Sequence, residues 1–177
     1  IAELQQAMKE LLPEKRYLHT LGVAHTAACL AMRYGCNVEH AMIAGLLHDC
    51  AKCMTHEERL LLCEKYEVEV SSSEFENKAL LHAKAGAILA KTVYDVEDMD
   101  ILHAIAVHTT GEENMSILDK IIYMLLGPLR HRFTALERAQ EQGIGHYFVP
   151  RYTRVVDTAN SKDDINKAYS LISTSKV

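Results

Sequence analysis

The sequence predicts one all-helical domain, and three observations carry that prediction. Apolar residues recur with the helical period over nearly the whole chain, without the alternation of a half-buried strand. Capping and stop residues punctuate that pattern at helix-length intervals. The 177 residues include only 3 Pro and 8 Gly, too few for a loop-rich or Pro-rich disordered chain. A length of this order fits a single domain of about 100–200 residues, so residues 1–177 are expected to form one unit.

Leu4, Met8 and Leu11 form an apolar stripe on a first helix that stops at Pro13. A second helix is predicted from Glu14 to Tyr34, with Leu18, Leu21, Ala28 and Met32 facing inward and Gly35 as its stop. Asn37 can cap a third, whose stripe Met42, Ile43, Leu46 and Leu47 runs into His48-Asp49. Thr55 and Glu58 have the spacing of a capping box and open a helix to about Tyr66. Ser71-Ser72-Ser73 reads as a loop. Further helices are expected over 76–93 and 98–108, parted by an acidic turn around Asp95. Ser116-Ile-Leu-Asp119 starts another, ended by Gly127-Pro128, and a polar helix fits 162–172. Between them, His146 to Val156 has no helical period and reads as a short strand pair or an extended arm.

Composition excludes several classes. The net charge of −5 argues against a nucleic-acid binder, whose affinity comes largely from neutralising phosphates. No apolar run approaches the roughly 18 residues of a membrane span, and the first residues do not read as a signal peptide. Five Cys fit a reducing, cytoplasmic setting better than a disulfide framework. Cys50-Ala-Lys-Cys53 has no second pair to complete a zinc site, so a structural use is expected. The Glu57-Glu58-Arg59 run reads as a solvated helix face.

The unusual number is 10 His, against 3 Phe and no Trp. His48-Asp49 ends a strongly apolar run, and a buried Asp is costly unless paired or bound to metal. His19 follows Arg16 in an R-x-x-H spacing. His82 opens a segment of small residues, His82-Ala-Lys-Ala-Gly-Ala87, and His108 ends an apolar helix and leads into Thr109-Thr110-Gly111. Four histidines on separate helices can converge on a metal site inside a bundle. His25 is expected to be solvated or to support a ligand from behind. His40, His56, His103, His131 and His146 show no partner pattern and default to surface or satisfied roles.

The order His19, His48-Asp49, His82, His108 resembles the HD-domain metal-dependent phosphohydrolases. Arg16-Tyr-Leu-His-Thr-Leu-Gly-Val-Ala24, Ala44-Gly-Leu-Leu-His-Asp-Cys-Ala-Lys52 and the stretch from His108 to Tyr123 are more closely similar to the YqeK family. The resemblance covers about residues 5–124 and leaves 125–177 unassigned. It implies an HD-domain helical bundle that cleaves diadenosine tetraphosphate symmetrically to two ADP, using two metal ions, with Fe first and Mn, Zn or Co as alternatives. It further implies that Asp49 bridges the ions, with His19 and His48 on one and His82 and His108 on the other. Lys52 would act with Asp49 in catalysis and face the phosphates beside Thr109, Thr110 and Gly111. A homodimer is also suggested by the resemblance.

The residue chemistry agrees with these implications. Imidazole plus carboxylate suits Fe, Zn or Mn better than Mg or Ca. Two such ions can neutralise both the attacking and leaving oxygens at phosphorus. Two other readings stay open. One keeps the metal site but changes the nucleotide, giving a 5′-nucleotidase or an alarmone hydrolase. The other is a weakly active nucleotide-binding module, motivated by a departure from the family pattern. In the family, the segment equivalent to Lys120–Met124 continues with Ala-Asp, and that Asp completes the first metal's shell. This chain continues Leu125-Leu-Gly-Pro-Leu-Arg130 instead. Either the ligand is lost and the first site is weaker, or a segment of the family pattern is missing from this sequence.

Overall fold

Helix boundaries fall where side chains or glycine can satisfy the backbone. In the computed structural model, which describes residues 1–126, Pro13 separates α1 (Ala2–Leu11) from α2 (Glu14–Tyr34). Gly35 ends α2 in the left-handed region at φ 67°, a conformation glycine adopts without strain. Asn37 caps α3 (Val38–Leu47) by accepting from the Glu39 and His40 amides. Thr55 and Glu58 form the expected capping box on α4 (His56–Lys65), and Asp98 caps α7 (Met99–Val107). α8 (Ile117–Leu126) begins with reciprocal Ser116 and Asp119 bonds: Ser116 N–H donates to Asp119 Oδ2 at 2.7 Å, and Asp119 N–H to Ser116 Oγ at 3.1 Å. The described residues contain helices and no strand, as the sequence pattern predicts.

Several expectations are corrected. Ser71 caps a short α5 (Ser72–Glu76) with its own capping box to Glu74, where a loop was expected. α6 covers only His82–Thr92, because the residues after Asn77 form turns that lead up to His82. Leu18 and Met32 are exposed, at 59% and 63%, rather than inward. Ala28 is buried as expected, and the rest of the buried apolar face of α2 is Val23, Ala24, Ala27, Leu30, Ala31 and Tyr34. In α1 Leu11 faces solvent, and the neighbouring Leu12 enters the core. The Gly127-Pro128 stop, the stretch from His146 to Val156, the 162–172 helix, His131 and His146 lie outside the described residues. No described helix is long and apolar enough to cross a membrane.

The main core joins α2, α3, α7 and α8 through residues such as Val23, Leu30, Leu47, Ile105, Ile121 and Ile122. Its tightest seam is between α2 and α3. A Cβ added at Gly45 would lie 2.6 Å from Ala24 Cα and 3.0 Å from Ala24 N. Both atoms are backbone, so the helices themselves would have to part. The seam matters for the site because α2 carries His19 and α3 ends at His48. Gly45→Ala is therefore expected to destabilise the protein despite a helix-propensity gain of about 1 kcal/mol. Overpacking of a fixed seam costs about 1–3 kcal/mol, more than that gain. A melting temperature equal to or above the parent's would refute the assignment.

Candidate metal centre

Three histidines share one local device. His48 Nδ1 donates to Gly45 O at 2.7 Å, His82 Nδ1 to Ala79 O at 2.8 Å, and His108 Nδ1 to Ile105 O at 2.7 Å. Each bond runs three residues back. For His48 and His108, at the C-terminal ends of α3 and α7, the acceptors are last-turn carbonyls that lack helical partners. A carbonyl on Nδ1 holds the hydrogen there and leaves the Nε2 lone pair as the ligand atom.

Those lone pairs converge on Asp49. His82 Nε2 is 3.2 Å from Asp49 Oδ1, and His48 Nε2 is 3.5 Å from Oδ2. His82 and His108 bring their Nε2 atoms within 3.1 Å of each other. Two lone pairs facing at that distance repel unless a proton or cation lies between them. His48 Nε2 is buried and makes no hydrogen bond. These are the features of a cation site. His19 joins from α2, its ring centroid 5.6 Å from that of His48. Ligand atoms of His19, His48 and Asp49 lie within 4.8 Å of one another, and so do those of Asp49, His82 and His108. The two groups share Asp49, and each of its oxygens faces a different histidine. Three protein donors stand on each side. Position 126, where the family pattern would place another carboxylate, holds Leu126, which packs on the main core.

Two cations border the cluster. Arg16 Nη1 lies 2.5 Å from Asp49 Oδ2, and Lys52 Nζ lies 3.6 Å from Oδ1 and 3.0 Å from His82 Nε2. Burial alone would raise the Asp49 carboxyl, but the close His48 and His82 rings and the Lys52 charge hold it well below the usual carboxylate range. Burial lowers His82 against the pull of Asp49. Burial also takes His108 well below the usual imidazole range, with His48 and His82 adding to the effect. The carboxylate stays charged and these two imidazoles neutral, the protonation states that metal binding needs. Lys52 is lowered by burial and by Arg16 and Arg59, against the attraction of Asp49.

The surroundings contain two groups that the sequence reading placed elsewhere. Arg59 is buried, not part of a solvated face. Its guanidinium donates to Ala51 O at 3.1 Å, Lys52 O at 2.9 Å and Lys78 O at 3.0 Å. It thus ties the turn after Asp49 to the segment that leads to His82. His103, assigned no partner from sequence, lies between the Glu112 and Asp119 carboxylates. The Thr109-Thr110-Gly111 turn is half-buried directly after His108, and Thr109 Oγ1 donates to Leu80 O at 3.3 Å.

Other residues behave as expected. His25 is exposed. Cys50 and Cys53 are not disulfide-bonded. Burial, with the Asp49 charge, pushes the Cys50 thiol up to about 12, which suits a packing role beneath the site rather than redox chemistry.

The HD-domain family model matches residues 16–125, the span that holds every one of these ligands. The chain belongs to the HD-domain family. Within this HD domain, residues align at 40% identity with a protein of Halalkalibacterium halodurans named a symmetrical bis(5′-nucleosyl)-tetraphosphatase, over 77% of this chain and 73% of that one. A Bacillus subtilis protein of the same name is 38% identical over 69% of this chain and 65% of its own length. The chain thus spans about two thirds of the length of these relatives. A Clostridium acetobutylicum crystal structure, described as a predicted HD superfamily hydrolase involved in NAD metabolism, superposes with a TM-score of 0.71. It shares 34% identity, with 99% of this chain and 97% of that one covered. The fold expectation of an HD-domain bundle is thereby met.

Proposed function

We propose that this HD domain hydrolyses diadenosine tetraphosphate symmetrically to two ADP. The observation that supports it most is a single buried carboxylate, Asp49, with two histidine groups on its two oxygens. Relatives named for that reaction are 38–40% identical to this chain over 69–77% of its length. His19, His48 and Asp49 would hold one ion, and Asp49, His82 and His108 the other. Imidazole and carboxylate donors suit iron, manganese, zinc or cobalt better than magnesium or calcium, and the family resemblance puts iron first. The ions would supply Lewis acidity at the phosphoryl oxygens.

The chain's own residues do the rest. Arg16 is partly exposed, at 39% of its side chain, beside Asp49. Its planar fork suits a phosphate, and Lys52 contributes a point charge on the opposite carboxylate oxygen. Thr109, Thr110 and Gly111 border His108 as the turn that would face a bound phosphate; its donor is the Thr110 hydroxyl, since the Gly111 amide is held by Val107 O and the Thr109 hydroxyl by Leu80 O. Water adds to one of the two central phosphorus atoms, and the bond from that phosphorus to the bridging oxygen breaks. One ADP leaves with the bridging oxygen, the other keeps the oxygen from water, and the water protons pass to solvent and product.

The test uses anaerobically purified protein, its metal content measured, against a panel of nucleotides. Two ADP per diadenosine tetraphosphate supports the proposal. AMP with ATP, or nucleoside with phosphate from mononucleotides, overturns it in favour of another HD-type hydrolase. Binding without turnover favours the weakly active module that the Leu126 departure suggests.

A further inference from the structure

Resting on the reading that the turn after His108 binds phosphate, we propose that His103 is a positioning residue. It locks that turn through a two-sided imidazolium bridge between Glu112 and Asp119. His103 Nε2 lies 2.7 Å from Glu112 Oε1, and Nδ1 lies 3.0 Å from Asp119 Oδ1. Carboxylates only accept, and a neutral imidazole carries a single N–H, so the ring pairs with both carboxylates only when it is protonated.

The two ends of the bridge differ. Asp119 is buried, and its Oδ2 is held by the Ser116 amide at the start of α8. Its Oδ1 is buried without a hydrogen-bond partner among the described residues and lies 3.0 Å from His103 Nδ1, an ion-pair distance. Glu112 is exposed and directly follows Gly111, whose φ is +64°. The inner end of the same turn is fixed by Gly111 N–H donating to Val107 O at 2.7 Å. The Tyr123 ring lies so close that a Cβ on Gly111 would meet it at 3.1 Å. His103 therefore ties the outer end of the turn to the anchored first turn of α8.

Glu112 and Asp119 are the charged groups facing His103. α3 and α6 also pack on α7, but His40 faces Asp98, Lys84 faces Glu74, and Glu39 and Lys91 are exposed. His82 on α6 belongs to the metal cluster. Burial alone would lower His103, but the Asp119 and Glu112 carboxylates outweigh it and raise it above the ordinary imidazole value. The sign follows from linkage. The bridge is complete below the unfolded value of about 6.5, and one of its contacts is lost as pH rises through the higher folded value.

Three proteins test this: the parent, His103→Gln and His103→Arg. Glutamine places its carbonyl against one carboxylate and cannot bridge, whereas arginine donates from several edges and stays charged. Exchange of the Gly111 amide, corrected for intrinsic base catalysis, is followed across about pH 6–9. Protection should fall with pH in the parent, be low throughout in His103→Gln and high throughout in His103→Arg. The KM for diadenosine tetraphosphate should rise in parallel, roughly tenfold (about 1.4 kcal/mol), with kcat and metal content unchanged. Equal protection and pH course in the parent and His103→Gln would overturn the bridge. Altered protection with a constant KM would overturn its role in binding. Absent turnover in the parent would refute the function proposed above, while the exchange experiment still decides whether the bridge exists.

Discussion

Replacing Asp49 with alanine is expected to lower turnover by more than roughly a thousandfold, beyond the ~10²–10³ that loss of one charge-stabilising donor costs in other enzymes. The reason is geometric. Its Oδ1 faces His82 and Lys52, and its Oδ2 faces His48 and Arg16, so one substitution removes a ligand from both sides of the cluster. Metal content should fall with activity. The remaining groups are Arg16, Lys52 and a set of imidazoles, which present cations and lone pairs but no negative charge to hold two divalent ions. Metal contributes to the stability of a site it completes, so the melting temperature of metal-loaded protein should drop toward that of the chelator-treated parent. Asp49→Asn separates charge from shape, because it preserves the volume but is a weaker ligand. Elemental analysis with a parallel melting curve checks the prediction. An Asp49→Ala protein with parental metal content and turnover would remove the site from this cluster altogether.

The parts of this architecture legible in the sequence are those governed by local signals. Gly35, Asn37, Thr55 and Asp98 mark helix ends because a side-chain oxygen or a missing Cβ satisfies the adjacent backbone. The proposed metal ligands stand out as histidine and aspartate on otherwise apolar helix ends or faces, and the family resemblance groups the five into one set. What failed to show depended on partners distant in the chain. The inward face of α2 is largely alanine, so the larger Leu18 and Met32 dominated the apparent period although both face solvent. Arg59 bonds only to backbone carbonyls, and carbonyls leave no residue-type signature. His103 needed Glu112 and Asp119 from beyond its helix, at separations that fit no helical pattern. The device shared by His48, His82 and His108 was hidden for the same reason as Arg59, since its acceptors are the carbonyls of Gly45, Ala79 and Ile105.

Lys52→Ala is expected to lower kcat by roughly a hundredfold while leaving the metals in place. Lys52 lies one turn beyond Asp49, and its backbone carbonyl is held by Arg59, so the start of its side chain is fixed even though the ammonium is half-buried. Its Nζ rests 3.0 Å from His82 Nε2, donating to the same lone pair that a metal ion would take. Ammonium and metal compete for that atom. With the metal held, the ammonium is displaced from the ligand and left beside the phosphates, where charge builds as the bridging oxygen departs. Burial already lowers its pKa, which reflects a poorly solvated cation that gains from a new anionic partner. Because that gain grows with the charge of the transition state, the loss should appear mainly in kcat rather than KM. Lys52→Arg should recover only part of it, since a wider, planar group cannot occupy the same point. Steady-state kinetics with metal analysis on the same preparations decides the matter. Metal loss in Lys52→Ala would show that the residue supports the ligand cluster, and an unchanged kcat would remove it from the chemistry.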